Sequence, residues 1–131
     1  MHPSAIRAAA PSDVERLLAL EGECFASDRL GARSFRHFTK ALTAALRVIG
    51  DGGRIDGYSL LLFRAGSRMA RLYSIAVAPE ARGRGLAATL LADAESLAQG
   101  RGADRLGLEV REDNPAAIGF YERRGYVLSG R

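Results

Sequence analysis

The stretch that decides the fold is Glu80-Ala-Arg-Gly-Arg-Gly-Leu-Ala-Ala-Thr89, or EARGRGLAAT in one-letter code. It follows an apolar segment from Met69 to Ala78 that is typical of a strand, and a helical pattern begins at Leu86. The loop supplies two arginines and two glycines. These are Arg82, Gly83, Arg84 and Gly85.

This loop combines three features that attract an anion. The first turn of a helix leaves main-chain N–H groups without partners, and it carries the positive end of the helix dipole. Glycines let an anion approach those groups closely, and the arginines add formal charge. The stretch therefore predicts an anion site between a strand and a helix, with a glycine-rich surface turn as the alternative.

Two other phosphate-binding motifs fit the stretch less well. A P-loop requires a lysine after its last glycine, and the stretch contains none, which excludes that class of nucleotide hydrolase. The dinucleotide fingerprint is met formally by Gly83, Gly85 and Ala88. Its context is missing, because strands that look antiparallel precede it and the next strand has Asp104 at its start instead of an acidic residue at its end.

The composition predicts one compact domain. The chain has 131 residues, 47% of them hydrophobic, and we expect residues 1–131 to form a single domain. The apolar runs fall far short of the roughly 20 residues that a membrane-spanning helix requires, and the N-terminus shows no signal-peptide pattern. We therefore expect a cytoplasmic protein without a membrane partner. The single cysteine, Cys24, lies in an apolar helical pattern that favours a small buried residue over a nucleophile.

The charge distribution argues against a nucleic-acid partner. The net charge is +4, but the arginines are scattered from Arg7 to Arg131, and no aromatic residues are interleaved with them. Such an overall excess of positive charge is equally compatible with binding an anionic cofactor. Neither His2 nor His37 has another ligand at metal-binding spacing, so we expect no metal.

The periodicity along the chain predicts an α/β protein. The patterns indicate a strand over 6–10, helices over 13–25 and 34–46, strands over 47–50, 55–63 and 69–78, a helix from 86, a strand over 104–110, a helix from 115 and a last strand from 126. The prediction of the second helix depends on the helical spacing of Phe35, Phe38, Leu42 and Leu46. The order β-α-α-β-β-β-α-β-α-β indicates a mixed sheet with helices on both faces.

Three segments, in this order, resemble the GCN5-related N-acetyltransferases. They are Leu72-Tyr-Ser-Ile-Ala-Val-Ala-Pro79, Arg82-Gly-Arg-Gly-Leu-Ala87 and Leu108-Glu-Val-Arg-Glu-Asp-Asn-Pro-Ala-Ala-Ile-Gly-Phe-Tyr-Glu-Arg-Arg-Gly-Tyr126. The resemblance covers nearly the whole chain. The third segment is most similar to the RimI-type enzymes, which acetylate the N-terminal amine of a ribosomal protein.

The resemblance implies acetyl-coenzyme A as the donor and an amine as the acceptor. It implies that the pantetheine arm pairs with main-chain groups of Ile75, Ala76 and Val77. The pyrophosphate would lie on the N–H groups of Arg82, Gly83, Arg84, Gly85, Leu86 and Ala87, which coincides with the anion site derived above. Asn114 would contact the coenzyme, a role compatible with capping the helix that starts at Pro115.

The resemblance also implies two residues for the chemistry. An amine must lose a proton before it attacks a thioester, and the departing sulfur gains from a proton donor. Glu109 is the implied general base, between apolar Leu108 and Val110 where we expect it to be buried, and Tyr121 is the implied general acid. Without the resemblance, Glu109 is read as a solvent-facing residue pairing with Arg111 or Arg105, and Tyr121 as a ring packed on the sheet.

The acceptor is less well defined by the sequence. Phe25-Ala-Ser-Asp-Arg-Leu30, between the first two helices, departs from the RimI-type pattern, and we expect the final strand of the sheet to be missing or truncated. Acidic side chains at Glu21, Glu23 and Asp28 could attract a cationic amine, but we expect them on the solvated surface. A small amine as acceptor, a non-catalytic acyl-coenzyme A sensor and a homodimer that completes the sheet edge stay open as alternatives.

Overall fold

The computed structural model describes residues 5–51, 53–109 and 115–127. The strands are β1 (Ala5–Ala8), β2 (Ala44–Gly50), β3 (Gly57–Leu62), β4 (Met69–Val77) and β5 (Arg105–Leu108). The helices are α1 (Val14–Cys24), α2 (Ala32–Phe38), α3 (Leu86–Gly100) and α4 (Pro115–Glu122).

The described strands form one sheet whose spatial order, β1-β2-β3-β4-β5, equals the chain order. Neighbours from β1 to β4 are antiparallel, and β4 and β5 are parallel because α3 carries the chain back across the sheet. The predicted mixed sheet is confirmed.

Helices cover both faces of this sheet. On one face, Phe35 of α2 packs edge-on against Tyr58 of β3, with ring centroids 5.6 Å apart. On the opposite face, Arg47 Nε of β2 lies 3.1 Å from Asp93 Oδ2 of α3. Register explains the division, because Tyr58 pairs with Val48, the neighbour of Arg47, and neighbouring residues of a strand point to opposite faces. The core is therefore split into two apolar layers.

The predicted second helix over 34–46 is wrong in its second half. Helix α2 ends at Phe38 and strand β2 begins at Ala44. Leu42, assigned to the apolar face of the helix, is 89% exposed, whereas Leu46 is buried opposite Leu60 of β3. The helical spacing of these residues was a coincidence of a short helix followed by a strand, since burial against β3 decides the conformation at Leu46.

At the C-terminal end, α4 starts at Pro115, as predicted, and Gly125 follows it with a φ of 90°. The predicted last strand begins at Tyr126, yet Tyr126 and Val127 lie in no strand, and the rest of it lies outside the described residues. None of the described helices has the length and apolar character that crossing a membrane requires.

An ion pair ties β1 to the start of α1. Arg7 donates to both carboxylate oxygens of Asp13, at 2.8 and 3.0 Å, and the Ala10 N–H donates to the same carboxylate at 2.7 Å. The Arg7 guanidinium and, to a smaller extent, the Ala10 N–H hold the pKa of Asp13 below its usual value. A lowered folded-state pKa contributes stability above the pKa of an unfolded aspartate, roughly 3.9, and this contribution is lost as the pH falls.

We therefore expect Asp13→Asn to lower the free energy of unfolding by about 1 kcal/mol near neutral pH, because half of the Arg7 side chain is in solvent. The difference from the unmodified chain should shrink as the pH falls through the lowered pKa of Asp13. Urea unfolding at about pH 7 and about pH 2 measures it. An equal difference at the two pH values would contradict this role of Asp13.

Candidate active site

The loop before α3 forms a cradle open to solvent, the donor cradle (residues 82–87). Gly83 and Gly85 have φ angles of 84° and 76°, which other residues rarely adopt. No atom lies within 4 Å of the position that a Cβ would take at either glycine. The two glycines therefore both shape the loop and keep its surface clear.

From Gly83 to Ala87, the main-chain N–H groups of the donor cradle have no acceptor among the described residues. Within the described part of the chain, the first N–H of α3 to find one is that of Thr89, which donates to Gly85 O at 3.1 Å. Arg82 differs from the other residues predicted here, since its N–H donates to Pro79 O at 3.4 Å. The N–H groups from Gly83 onward stay available for an anion, as the sequence predicts.

The two arginines of the donor cradle are held near it by main-chain acceptors. Arg82 Nε donates to Val77 O at 3.1 Å, and Arg84 Nε donates to Ala81 O at 3.4 Å. Arg84 also lies 3.6 Å from the buried carboxylate of Asp56. These contacts keep two positive charges beside the free N–H groups, which suits a diphosphate.

Strand β4 continues beyond its last pair with β5, and we call the described residues at this point (73–77 and 109) the β4–β5 fork. Their pairing ends at Leu72 and Leu108. At the same point the pairing of β4 with β3 shifts, because Leu61 pairs with Leu72 and Leu60 with Ser74, which leaves Tyr73 as an extra residue. The bulge in β4 therefore coincides with the end of its pairing with β5.

Beyond the bulge, one edge of β4 pairs with no strand among the described residues. The Ala78 N–H donates to Asp56 O at 2.8 Å, on the β3 side. Main-chain groups of successive strand residues point to opposite edges, so those of Ile75 and Val77 point into the fork while those of Ala76 point toward β3. An extended ligand can thus pair with the main-chain groups of Ile75 and with the N–H of Val77, whose carbonyl already accepts from Cys24 and Arg82.

Glu109 is not buried, which corrects the sequence prediction. Strand β5 ends at Leu108, so Glu109 lies just outside it, and its side chain is 83% exposed. Its carboxylate accepts a hydrogen bond from Arg71 at 2.9 Å. The alternative interpretation, in which Glu109 faces solvent, was right about the exposure of the side chain. It named Arg111 or Arg105 as the partner of Glu109, whereas the observed partner is Arg71. Glu109 nevertheless lies where the fork begins, because the preceding residue, Leu108, is paired with Leu72.

Tyr121 is half-buried on α4, and Asn114 lies outside the described residues. The Tyr121 ring packs edge-on against Phe120 and Tyr126, at centroid distances of 5.0 and 5.8 Å. Burial raises the pKa of Tyr121. Its phenol therefore stays protonated at neutral pH, as a proton donor must.

A cavity of about 420 Å³ lies between the end of α1 and the bulge of β4, and we call it the α1–β4 cavity. Its lining residues are Glu21, Cys24, Phe25, Ala26, Ser27, Asp28, Tyr73 and Ser74. Cys24 separates this cavity from the donor cradle, because its thiol donates to Val77 O at 3.4 Å and lies 3.8 Å from Arg82. Burial raises the pKa of the Cys24 thiol, in line with the prediction that it is not a nucleophile.

Glu21 is buried, so its assignment to the solvated surface is wrong. The residue is 3% exposed, and its carboxylate accepts hydrogen bonds from the Tyr58 hydroxyl at 2.6 Å and from the Leu30 N–H at 2.7 Å. The Tyr58 oxygen also lies 3.0 Å from Ser74 Oγ. Burial, and then the hydrogen bond to Glu21, raise the pKa of Tyr58. The sequence carried one signal for this cluster, an acidic residue on the α1 helix among apolar neighbours.

Within the described ranges, no three histidine, cysteine or acidic side chains come together in a way that would hold a metal ion. The site residues can bind an anion at the donor cradle and pair with an extended ligand in the fork. Glu109, Tyr121 and the Glu21 cluster contain groups that can transfer protons.

The comparisons with known proteins agree with this geometry. The profile of the acetyltransferase (GNAT) family matches residues 14–126. A putative [ribosomal protein bS18]-alanine N-acetyltransferase of Bacillus subtilis is 30% identical over 127 residues, which cover 97% of this chain and 83% of that protein. Streptothricin acetyltransferase of Streptomyces lavendulae is 34% identical over 83 residues, or 63% of this chain. The match spans 44% of that relative's length.

Solved structures share the fold. The ribosomal-protein-S18-alanine N-acetyltransferase of Escherichia coli superposes with a TM-score of 0.86 at 23% identity, covering 98% of this chain and 80% of that one. The PaiA N-acetyltransferase of Thermoplasma acidophilum, solved with coenzyme A, gives a TM-score of 0.90 at 18% identity, covering 99% and 93% of the two chains. Because the two identities are only 23% and 18%, these similarities show a shared fold and nothing more. The chain therefore belongs to the acetyltransferase (GNAT) family, whose members are acyltransferases that use acetyl-coenzyme A.

Proposed function

We propose that this protein transfers the acetyl group of acetyl-coenzyme A to the N-terminal amine of a protein or peptide. The observation that carries the proposal is the run of N–H groups from Gly83 to Ala87 that have no acceptor among the described residues. This run lies close to the edge of β4 that pairs with no described strand, since Arg82 donates to Val77 O. The Bacillus relative, aligned over 97% of the chain, supports a protein N-terminus as acceptor.

The residues present fit the donor. The N–H groups from Gly83 to Ala87, with the side chains of Arg82 and Arg84, would hold the diphosphate. The main-chain groups of Ile75 and the N–H of Val77 would pair with the amides of the pantetheine arm, while Ala76 between them pairs with Tyr58 of β3. Bound there, the coenzyme supplies an acetyl group activated as a thioester, at the point where the fork and the α1–β4 cavity meet.

Two side chains are proposed for the proton transfers. Glu109, where the fork begins, takes a proton from the attacking nitrogen, and the hydrogen bond from Arg71 orients its carboxylate. Tyr121 donates a proton to the departing sulfur, since its phenol stays protonated at neutral pH. The contact of Asn114 with the coenzyme stays a prediction.

We expect Glu109→Gln to lower kcat by roughly 10²-fold while acetyl-coenzyme A still binds, because the amide keeps the shape of the side chain but accepts no proton. Glu15→Gln is the matched control, since Glu15 is exposed at the other end of α1 from the cavity. Steady-state kinetics with a synthetic peptide that begins with alanine, together with calorimetry for the donor, gives both quantities. Equal kcat values for the two variants would remove Glu109 from the mechanism.

A small amine is the second candidate acceptor. The alignment with streptothricin acetyltransferase, at 34% identity, favours it. A panel that pairs peptides with free amines and amino acids decides between the two acceptors by their kcat/KM values. Donor binding without transfer to any acceptor would instead indicate an acyl-coenzyme A sensor.

We also propose that two copies of the chain associate through β5, which is an edge strand within the described residues. Edge strands present free N–H and C=O groups that pair readily with another chain. Sedimentation of the purified protein at several concentrations tests this, and a monomer at every concentration would contradict it.

A further inference from the structure

The hydrogen bonds of the Glu21 cluster all run in one direction. The distance of 2.6 Å between the Tyr58 hydroxyl and Glu21 Oε1 is typical of a hydroxyl that donates to an ionised carboxylate. Tyr58 has only one proton, so its contact with Ser74 at 3.0 Å requires the Ser74 hydroxyl to donate to the Tyr58 oxygen. The lone pairs of Ser74 Oγ are then left for a further donor in the α1–β4 cavity.

The Glu21 carboxylate is buried without a countercharge. It takes part in none of the ion pairs formed within the described ranges, and its two partners there are the neutral Tyr58 hydroxyl and Leu30 N–H. A buried charge without an opposite charge is costly. A cation that enters the cavity would reduce this cost, and an amine acceptor enters as an ammonium ion at neutral pH.

Ser74 lies where the acceptor must react. It follows the bulge at Tyr73, at the point where β4 leaves β5, and it lines the α1–β4 cavity. A pantetheine arm that runs along Val77 and Ile75 reaches Ser74 next, because one strand residue advances about 3.3 Å. The donor side and the cavity side of the molecule therefore meet at this residue.

We propose that Ser74, Tyr58 and Glu21 form a proton relay that converts the acceptor's ammonium group into a nucleophilic amine. This inference rests on the proposed acetyl transfer and assigns the first of its two deprotonations. Ser74 touches the acceptor, and Tyr58 and Glu21 act through it. We call this set the Ser74–Tyr58–Glu21 relay.

The protons and electrons of the reaction balance under this assignment. The ammonium gives a proton to Ser74 Oγ, the Ser74 hydroxyl proton passes to Tyr58, and the Tyr58 proton passes to Glu21 Oε1. The nitrogen lone pair then forms the C–N bond to the acetyl carbon, and the C–S bond breaks with its electron pair on sulfur. Glu109 takes the second proton from the nitrogen, Tyr121 protonates the sulfur and regains a proton from Glu109 through water, and Glu21 releases its proton to water through the relay.

The test compares two acceptors that differ in basicity. One synthetic peptide begins with alanine, and the other begins with trifluoroalanine, whose fluorines leave the amine largely unprotonated at neutral pH. With the alanine peptide, we expect Ser74→Ala to lower kcat at least tenfold, with the KM for acetyl-coenzyme A unchanged, and Ser74→Thr to restore most of the rate because it keeps a hydroxyl. With the trifluoroalanine peptide, the loss in Ser74→Ala should shrink to about twofold or less, because no ammonium proton has to be removed.

Two further variants separate the relay from a structural role. Tyr58→Phe keeps the buried ring against Phe35 but breaks the relay, so its losses should follow those of Ser74→Ala with both peptides. Ser59→Ala is the matched control, since Ser59 is a buried strand serine whose hydroxyl has no partner among the described residues, and it should keep the full rate. Glu109→Gln should lose the same factor with both peptides.

The outcomes distinguish this inference from the proposed function. No transfer by the unmodified chain to either peptide or to the free amines overturns both. Transfer that Ser74→Ala leaves undiminished, or diminishes equally with the two peptides, overturns the relay alone. A smaller loss with trifluoroalanine, together with rescue by Ser74→Thr, supports it.

Discussion

Gly85→Ala is expected to weaken the binding of acetyl-coenzyme A by at least tenfold, or about 1.4 kcal/mol. The φ angle of 76° at Gly85 costs a residue with a Cβ about 1–2 kcal/mol. The added methyl group would also project into space that no protein atom occupies within 4 Å, above the N–H groups proposed to hold the diphosphate. Isothermal titration calorimetry with acetyl-coenzyme A measures the loss.

Gly66→Ala separates the two causes. Gly66 lies in the turn between β3 and β4, has a φ angle of 80°, and likewise has no atom within 4 Å of its Cβ position. The two variants should therefore lose similar amounts of thermal stability, and only Gly85→Ala should lose donor affinity. Equal affinities in both variants would show that the donor does not bind at the cradle.

Leu90→Ala should have the largest effect on stability. Leu90 on α3 is fully buried, and its Cδ1 lies 3.4 Å from the position that a Cβ would occupy on Gly57 of β3. Removing a buried leucine side chain leaves a cavity and typically costs 2–5 kcal/mol, so we expect a loss of about 3 kcal/mol. Denaturant unfolding measures it.

Leu42→Ala is the matched control for this prediction. Leu42 is 89% exposed, and the same substitution there should change the free energy of unfolding by less than about 0.5 kcal/mol. If Leu42→Ala proved as costly as Leu90→Ala, the assignment of residues 39–43 to an exposed connection between α2 and β2 would be wrong.

The parts of the site that could be predicted from the sequence are local. The donor cradle depends on two glycines and two arginines within four consecutive residues, and their meaning follows from the strand before them and the helix after them. The fold class depends on the order of the periodic segments. This order stays the same even where the predicted ends of a segment are wrong. The boundary of α2 was misjudged because Leu46 pairs with Leu60, a contact with a strand that the helical spacing does not take into account.

The Ser74–Tyr58–Glu21 relay could not be predicted in the same way. Its members come from α1, β3 and β4, with 37 positions between Glu21 and Tyr58 and 16 between Tyr58 and Ser74. The exposure of Glu109 was missed because its apolar neighbour Leu108 suggested a longer strand. The end of β5 at Leu108 coincides with the bulge at Tyr73 on the neighbouring strand β4. The spacing of residues around Glu109 contains no information about that bulge.

The described strands lie in the sheet in the same order as along the chain, and this order affects how the protein folds. From β2 to β4, each strand pairs with the one made just before it, so the first four strands can assemble as a meander while the ribosome is still making the rest. Among the described strands, β5 alone has to wait for the long crossover through α3. The cradle lies on that crossover, and the fork is formed by residues on either side of it. A nascent chain therefore gains the ability to recognise its donor as one of the last events of its folding.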